Sequence, residues 1–177
     1  MERTTPKIII VTGPESTGKT TIARSIAVNY NVSLVPEYAR EYIEGLGRNY
    51  NYNDILHIAK FQHGQYNACL TENKNCIIDT YLIITKIWFL WHSGNYPNWL
   101  DNAIAQTKGA MYLLCSPDIE WVPDKVRENG GEARNMLFET YRNELIKFGL
   151  NYCIVSGQGA ERDYNAGFFA EKYLNGQ

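Results

Sequence analysis

The 177 residues have the length of one domain, and 45% apolar with 20% charged residues can build a core large enough to exclude global disorder. Seventeen basic and nineteen acidic side chains leave a net charge of −2, so no overall field draws in nucleic acid or an anionic membrane. The longest nearly apolar stretch, Tyr81 to Trp91, is broken by Thr85 and Lys86 and is about half the ~20 residues of a spanning helix, and Ile8 to Val11 is too short for a signal-peptide core, so a cytoplasmic protein is expected.

Lys7 to Thr12 is a β-branched run closing on Gly13, the pattern of a strand buried on both faces of a parallel sheet. Good helix formers follow from Lys19 to Tyr30, with Ile22, Ile26 and Tyr30 at helical spacing. Ser33 to Val35 is a second short strand, ended by Pro36. Glu37 to Leu46 predicts a helix with Tyr38, Tyr42, Ile43 and Leu46 on one face and Gly47 as its stop. Asn53 reads as the N-cap of a longer helix whose inner face is Ile55, Leu56, Ala59, Tyr66, Cys69 and Leu70.

Cys76 to Ile78 closes on Asp79, and Met111 to Cys115 and Tyr152 to Val155 repeat that short apolar pattern. Five strands alternating with helices predict an α/β fold with a five-stranded parallel sheet sandwiched by helices. Cys69, Cys76, Cys115 and Cys153 form no CxxC pair and have no histidine at zinc-ligand spacing, so they read as reduced, buried and inert. Asp118 to Asn135 breaks the rhythm: it is polar, of mixed charge, and holds Pro123 and Gly130-Gly131. It reads as a surface excursion with the length of a functional lid, about 118–135, on a single domain spanning 1–177.

Gly13-Pro14-Glu15-Ser16-Thr17-Gly18-Lys19-Thr20 matches GxxxxGK[ST] between an apolar strand and a helix, the context this phosphate-binding loop requires. Backbone N–H groups of Glu15 to Thr20 would form an anion nest at the helix N-terminus, with Thr21 in the first turn. Lys19 would lie along the β- and γ-phosphates of ATP, and Thr20 would offer its hydroxyl to Mg²⁺. Asp79, at the end of an apolar strand, is the second magnesium-organising carboxylate such a site needs. The whole pattern predicts the P-loop nucleoside triphosphate hydrolase fold with a kinase-type lid.

Glu37 and Arg40 directly follow the second strand, at the carboxyl edge of the sheet where open α/β folds bind ligands. Glu37 could accept a substrate hydroxyl proton while Arg40 holds ligand or phosphoryl charge; the alternative is an ordinary surface pair at a helix start. Lys125, Arg127 and Arg134 are the cations a lid could fold over phosphates. Trp88 and Trp91 on one helix, and Tyr38 and Tyr42 on another, are either core stripes or stacking faces for a flat substrate ring. His57, His63 and His92 carry no assigned role, and Gln158 to Arg162 is a candidate adenine contact.

Four segments together resemble the ribosylnicotinamide kinase domain of the NadR-type proteins of bacterial NAD synthesis. They are GPESTGKTT at Gly13 to Thr21, PEYAREYIEGLG at Pro36 to Gly47, IIDT at Ile77 to Thr80 and WVPDKVR at Trp121 to Arg127, within a likeness running from about residue 7 to 173. The resemblance implies ATP-dependent phosphorylation of the 5′-hydroxyl of nicotinamide riboside. It also implies that Glu37, Tyr38 and Arg40 serve the acceptor, Asp79 the magnesium, and Asp124 and Arg127 the lid. Tyr81, a candidate substrate contact, stands where that family commonly has a second acid for the acceptor's hydroxyl or magnesium contacts, and Pro123 and Lys125 flank Asp124 where an acid and a glycine are usual. Because the first strand begins at about residue 7, neither the adenylyltransferase nor the DNA-binding part of the multidomain relatives is expected. Partners are then a small nucleoside-type substrate, no nucleic acid, no membrane and a possible second copy. Two alternatives stand beside this reading: a kinase of another nucleoside or nucleotide, and an ATP-binding regulatory module with little or no transferase activity.

Overall fold

The computed structural model describes residues 5–123 and 131–176. Along the chain they form β1 (Ile8–Thr12), α1 (Lys19–Tyr30), β2 (Ser33–Val35), α2 (Tyr38–Gly45), α3 (Tyr52–Thr71), β3 (Cys76–Asp79), α4 (Leu82–Ser93) and α5 (Trp99–Ala105). A 3₁₀ turn at Gln106–Gly109 leads to β4 (Met111–Cys115), followed by α6 (Glu132–Phe148), β5 (Asn151–Val155) and α7 (Ala160–Asn175). The five strands pair in parallel in the order β2-β3-β1-β4-β5, so the expected α/β sheet is present with β1 at its centre.

Period-two alternation of side chains on the strands sends apolar residues to both faces. Ile8, Ile10, Cys76, Ile78, Tyr112 and Leu114 join one core cluster with residues of α3, α4, α5 and α6. Ile9, Val11, Ile77, Leu113, Cys115 and Val155 join the other, with residues of α1 and α7. The register then fixes the site: Val11 lies abreast of Asp79, and Val35 abreast of Ile78. The loop after β1, the carboxylate ending β3 and the segment leaving β2 therefore meet at the carboxyl edge of the sheet.

Four local expectations are corrected. The N-cap of α3 is Asn51, not Asn53: its Oδ1 accepts the amides of Asn53 and Asp54 at 2.8 and 3.4 Å, while the Asp54 carboxylate accepts the Asn51 amide at 2.8 Å. That reciprocal capping box outcompetes a lone Asn cap two residues later. On the same helix Leu70 is 40% exposed and Leu56 only partly buried, while Ile58 and Gln62 are buried instead. The α6 helix begins at Glu132, inside the expected excursion. Cys69, Cys76 and Cys115 are buried and free, whereas Cys153 on edge strand β5 is only half-buried. Among the described residues no helix is long and apolar enough to cross a membrane.

Candidate active site

The phosphate-binding loop joins β1 to α1 as the motif demands. Gly13 sits at φ 137°, and a Cβ there would lie 2.7 Å from the Cys115 carbonyl oxygen, so only glycine lets the loop leave the sheet beside β4. Ser16, at φ 54°, is a non-glycine residue in the left-handed region, and Gly18 at φ 75° precedes the first helical turn. The Thr17 hydroxyl donates to the Pro14 carbonyl at 2.8 Å, and Lys19 Nζ reaches the same oxygen at 2.6 Å.

Two buried arginines brace this loop from distant parts of the chain. Arg134 of α6 donates from Nη2 to the carbonyls of Ser16 and Ile119, both at 3.0 Å. Arg162 of α7 donates from Nη2 to the carbonyls of Thr17 and Ser116, at 2.9 and 2.8 Å, and its Nη1 meets Asp118 Oδ1 at 2.6 Å. Gripping the consecutive carbonyls of Ser16 and Thr17 fixes the peptide planes whose N–H groups an anion would need. Arg134 thus serves the loop backbone in this structure, where sequence pattern had suggested a lid cation, and Arg162 lies behind the loop within the segment considered for adenine. Ser16 Oγ also accepts the Val122 amide at 2.9 Å, tying the start of the 118–123 segment to the loop.

Asp79, 1% exposed, accepts the Thr20 hydroxyl on Oδ2 at 2.6 Å. Burial pushes its carboxyl above the ordinary range, opposed by the Thr20 hydrogen bond and by the Lys19 charge. Its second oxygen, Oδ1, is buried and has no hydrogen-bond partner among the described residues. A carboxylate oxygen left in that state beside a hydroxyl and a phosphate-binding loop is what a hard cation and its water shell would satisfy, so Thr20 and Asp79 fit magnesium. Among the described residues no three His, Cys, Asp or Glu side chains gather to hold a metal alone, so this pair would share the ion with phosphate oxygens.

Glu37 occupies the N-cap position of α2, and Arg40 Nε approaches its Oε2 to 3.6 Å while Nη1 stands 3.7 Å from Glu44. Burial raises the Glu37 carboxyl and the Asp79 charge adds to this, against the lowering influence of Lys19 and Arg40. A carboxyl raised in this way is better matched to proton acceptance near neutral pH than a surface glutamate.

One cleft of about 850 Å³ is lined by Lys19, Glu37 and Arg40 together. Its lining takes in Gly13, Glu15 and Lys19 of the loop, Glu37 and Arg40, the polar side chains Gln62, Thr80 and Thr85, and the aromatic group Tyr50, Trp88, Trp91 and His92. The aromatic group is rigidly built. Tyr50 meets Trp88 edge-on with ring centroids 4.7 Å apart. Arg48 clamps Asp54 through two hydrogen bonds of 2.7 and 2.9 Å, holding the loop that carries Tyr50, and keeps the Asp54 carboxyl well below the usual range. Lys86, fully buried, bridges Asp101 and Glu144 at 2.8 and 2.6 Å and so locks α4, the helix of both tryptophans, to α5 and α6.

The structure brings together Lys19, Thr20, Glu37, Arg40 and Asp79 as the spacing suggested, and adds Trp88 and Trp91 to the same cleft. Tyr38 is not among the residues lining it: its ring stacks on Phe61 at 3.7 Å and its hydroxyl meets His57 Nε2 at 2.7 Å, because α2 turns that face toward α3. Tyr42 likewise donates to Asp54 at 3.0 Å. Tyr81, expected at the acceptor, is 1% exposed in the core, with its hydroxyl 3.1 Å from His63 Nδ1 and its ring 5.2 Å from Tyr66. Burial drives its phenol far upward, so it stays neutral. Asp124, Lys125 and Arg127, the lid residues suggested by sequence, lie outside the described residues.

Comparison with known proteins agrees with this construction. The AAA domain family matches residues 8–162. The trifunctional NAD biosynthesis/regulator protein NadR of Salmonella typhimurium (strain LT2) is 26% identical over 147 residues, and that of Escherichia coli (strain K12) 28% identical over 153. Both alignments take in 80% of this chain but only 36% and 37% of the NadR proteins, so the chain spans little more than a third of their length. A NadR protein crystallised in complex with NR superposes with a TM-score of 0.79 at 25% identity, over 99% of this chain and 53% of that one. Thymidylate kinase from Ehrlichia chaffeensis shares the fold at a TM-score of 0.65 and 13% identity, over 96% and 99% of the two chains. With its sheet, its phosphate-binding loop and its P-loop kinase neighbours all in agreement, the chain belongs to the AAA domain family and is similar to the NadR proteins.

Proposed function

We propose that the protein is a Mg-ATP-dependent kinase acting on the 5′-hydroxyl of nicotinamide riboside to give nicotinamide mononucleotide and ADP. The observation that carries this reading is the cleft whose lining takes in Lys19, Glu37, Trp88 and Trp91 together. A phosphate donor seated on the loop and a flat, cationic ring lying against the tryptophans would share that cleft with Glu37, the carboxylate for a sugar hydroxyl. The ribosylnicotinamide kinase resemblance and the NR complex of a NadR protein support this acceptor.

In this reading Glu37 orients the acceptor hydroxyl and takes its proton as the new oxygen–phosphorus bond forms and the bond to ADP breaks. Lys19 stabilises charge on the transferring phosphoryl group, and Arg40 holds Glu37 in place. Thr20 and Asp79 would hold magnesium with the bound ATP, and the ion would supply charge neutralisation to the donor phosphates. Arg127 and Asp124 are proposed for the lid.

Because Glu37 works ionised and its carboxyl is raised, kcat/KM falls as pH drops through a midpoint above the ordinary carboxylate range of about 4.3. Glu37→Gln is expected to lower kcat about 10²- to 10³-fold and to remove Glu37's share of that acid limb, leaving the share of the Asp79 carboxyl, as read from pH–rate profiles of both proteins.

The acceptor itself is tested by Mg-ATP-dependent ADP release with nicotinamide riboside beside cytidine, uridine, adenosine and nicotinamide mononucleotide. Stimulation by nicotinamide riboside is expected; stimulation by another member alone would make the protein a kinase of that nucleoside or nucleotide. The burial of Tyr81 favours one second reading, an ATP-binding module with little transferase activity, because no acid reaches the cleft from that position. Tight ATP binding with no acceptor-stimulated release anywhere in the panel is its mark.

A further inference from the structure

Thr80, the residue after Asp79, has φ 72°, in the left-handed region that a β-branched side chain rarely adopts. Its amide donates to the Val11 carbonyl at 3.1 Å, so the strained turn is fastened directly to the strand that feeds the phosphate-binding loop. Its side chain is fastened too. Gln62 of α3 donates from Nε2 to Thr80 Oγ1 at 3.5 Å, and Gln62 Oε1 accepts the Thr85 hydroxyl of α4 at 2.5 Å. Gln62, Thr80 and Thr85 are 2%, 4% and 1% exposed, yet all three line the cleft that Lys19 and the tryptophans also line.

The direction of these bonds matters. Thr85 spends its hydroxyl hydrogen on Gln62, and Gln62 turns its amide hydrogens toward the lone pairs of Thr80. Among the described residues the Thr80 hydroxyl hydrogen is thereby left to be donated, from a residue of the cleft wall next to Asp79. Buried polar groups that converge on a cleft set orientation and reject ligands lacking the matching group.

We propose that Thr80 is an acceptor-binding residue whose hydroxyl donates to a sugar hydroxyl of a nucleoside acceptor, and that Gln62 is the positioning residue that aims it. This rests on the kinase reading above and adds a requirement for a hydroxylated sugar in the cleft. Backbone strain at Thr80 is then kept because it places the hydroxyl at the wall rather than in the core.

The test compares wild type, Thr80→Val, Thr80→Ser and Gln62→Met, using nicotinamide riboside and its 2′-deoxy and 3′-deoxy analogues. ADP-release kinetics, calorimetric acceptor binding and ATP binding are measured on each. Valine keeps the β-branch and so the backbone burden, and removes only the hydroxyl. Thr80→Val is expected to raise the acceptor KM and Kd about tenfold, with ATP affinity within about twofold of wild type. Thr80→Ser recovers most of that loss, and Gln62→Met shifts acceptor KM in the same direction. With one of the deoxy analogues wild type loses a similar factor, and Thr80→Val loses no more, as a shared hydrogen bond requires.

Acceptor KM and Kd within about twofold of wild type in Thr80→Val would overturn the proposal, as would equal loss of ATP and acceptor binding. So would losses that multiply on both deoxy analogues. If wild type turns over acceptor and Thr80→Val is unchanged, this inference alone falls; if wild type binds ATP but no member of the acceptor set, the kinase reading falls with it.

Discussion

Lys19→Ala is expected to lower phosphoryl transfer by about three orders of magnitude or more while the protein remains folded. In the structure Lys19 Nζ reaches back to the Pro14 carbonyl at 2.6 Å, within the loop that would hold the phosphates. It also lines the cleft shared with Glu37, and its charge opposes the upward push on the carboxyls of both Glu37 and Asp79. Removing it takes away the loop's own cation, and the two arginines that brace the loop, Arg134 and Arg162, are engaged with backbone carbonyls. The side chain belongs to neither core cluster, so thermal unfolding should shift by only a few degrees. ADP release and a melting curve check both halves, and a variant retaining a tenth of wild-type turnover would contradict the assignment of Lys19.

Asp79→Asn is expected to have opposite effects on activity and on the empty protein. Transfer should fall about 10²- to 10³-fold, because the amide no longer supplies the charge that organises magnesium with Thr20. The empty protein should melt a few degrees higher than wild type, since a buried carboxylate with one unsatisfied oxygen is replaced by a neutral group that can still accept from Thr20. Calorimetry without nucleotide, beside ADP release, separates the two effects. A lower melting point together with full activity would mean that the acid is a structural partner of Thr20 and nothing more.

Local pattern carried much of the site. The β-branched run before Gly13, the motif itself and the short strand ending at Asp79 each announce their place through neighbours in sequence, and parallel pairing then brings Val11 and Asp79 abreast. What local pattern could not supply are partners set by distant packing. Gln62 meets Thr80 across 18 residues, Arg134 meets Ser16 across 118, and Arg162 meets Thr17 across 145. Arginine and glutamine on an amphipathic helix read as surface residues until the fold shows them buried. The misplaced tyrosines have the converse cause. Tyr38 and Tyr81 sit in the segments that carry the chemistry, but α2 rests its Tyr38 face on α3, and the turn at Thr80 sends the Tyr81 ring into the core beside Tyr66. Trp88 and Trp91 could not be told from a core stripe by spacing; the Lys86 bridges and the Tyr50 contact show which way that helix is held.

The most direct test of the kinase reading is the stoichiometry of transfer with nicotinamide riboside and Mg-ATP, followed by product mass and ADP together. One nicotinamide mononucleotide formed per ADP released, with Lys19→Ala silent, is the predicted result. ADP release at the same rate with and without nicotinamide riboside, and no mononucleotide by mass, would contradict it and leave an ATP-binding protein whose aromatic cleft serves some other ligand.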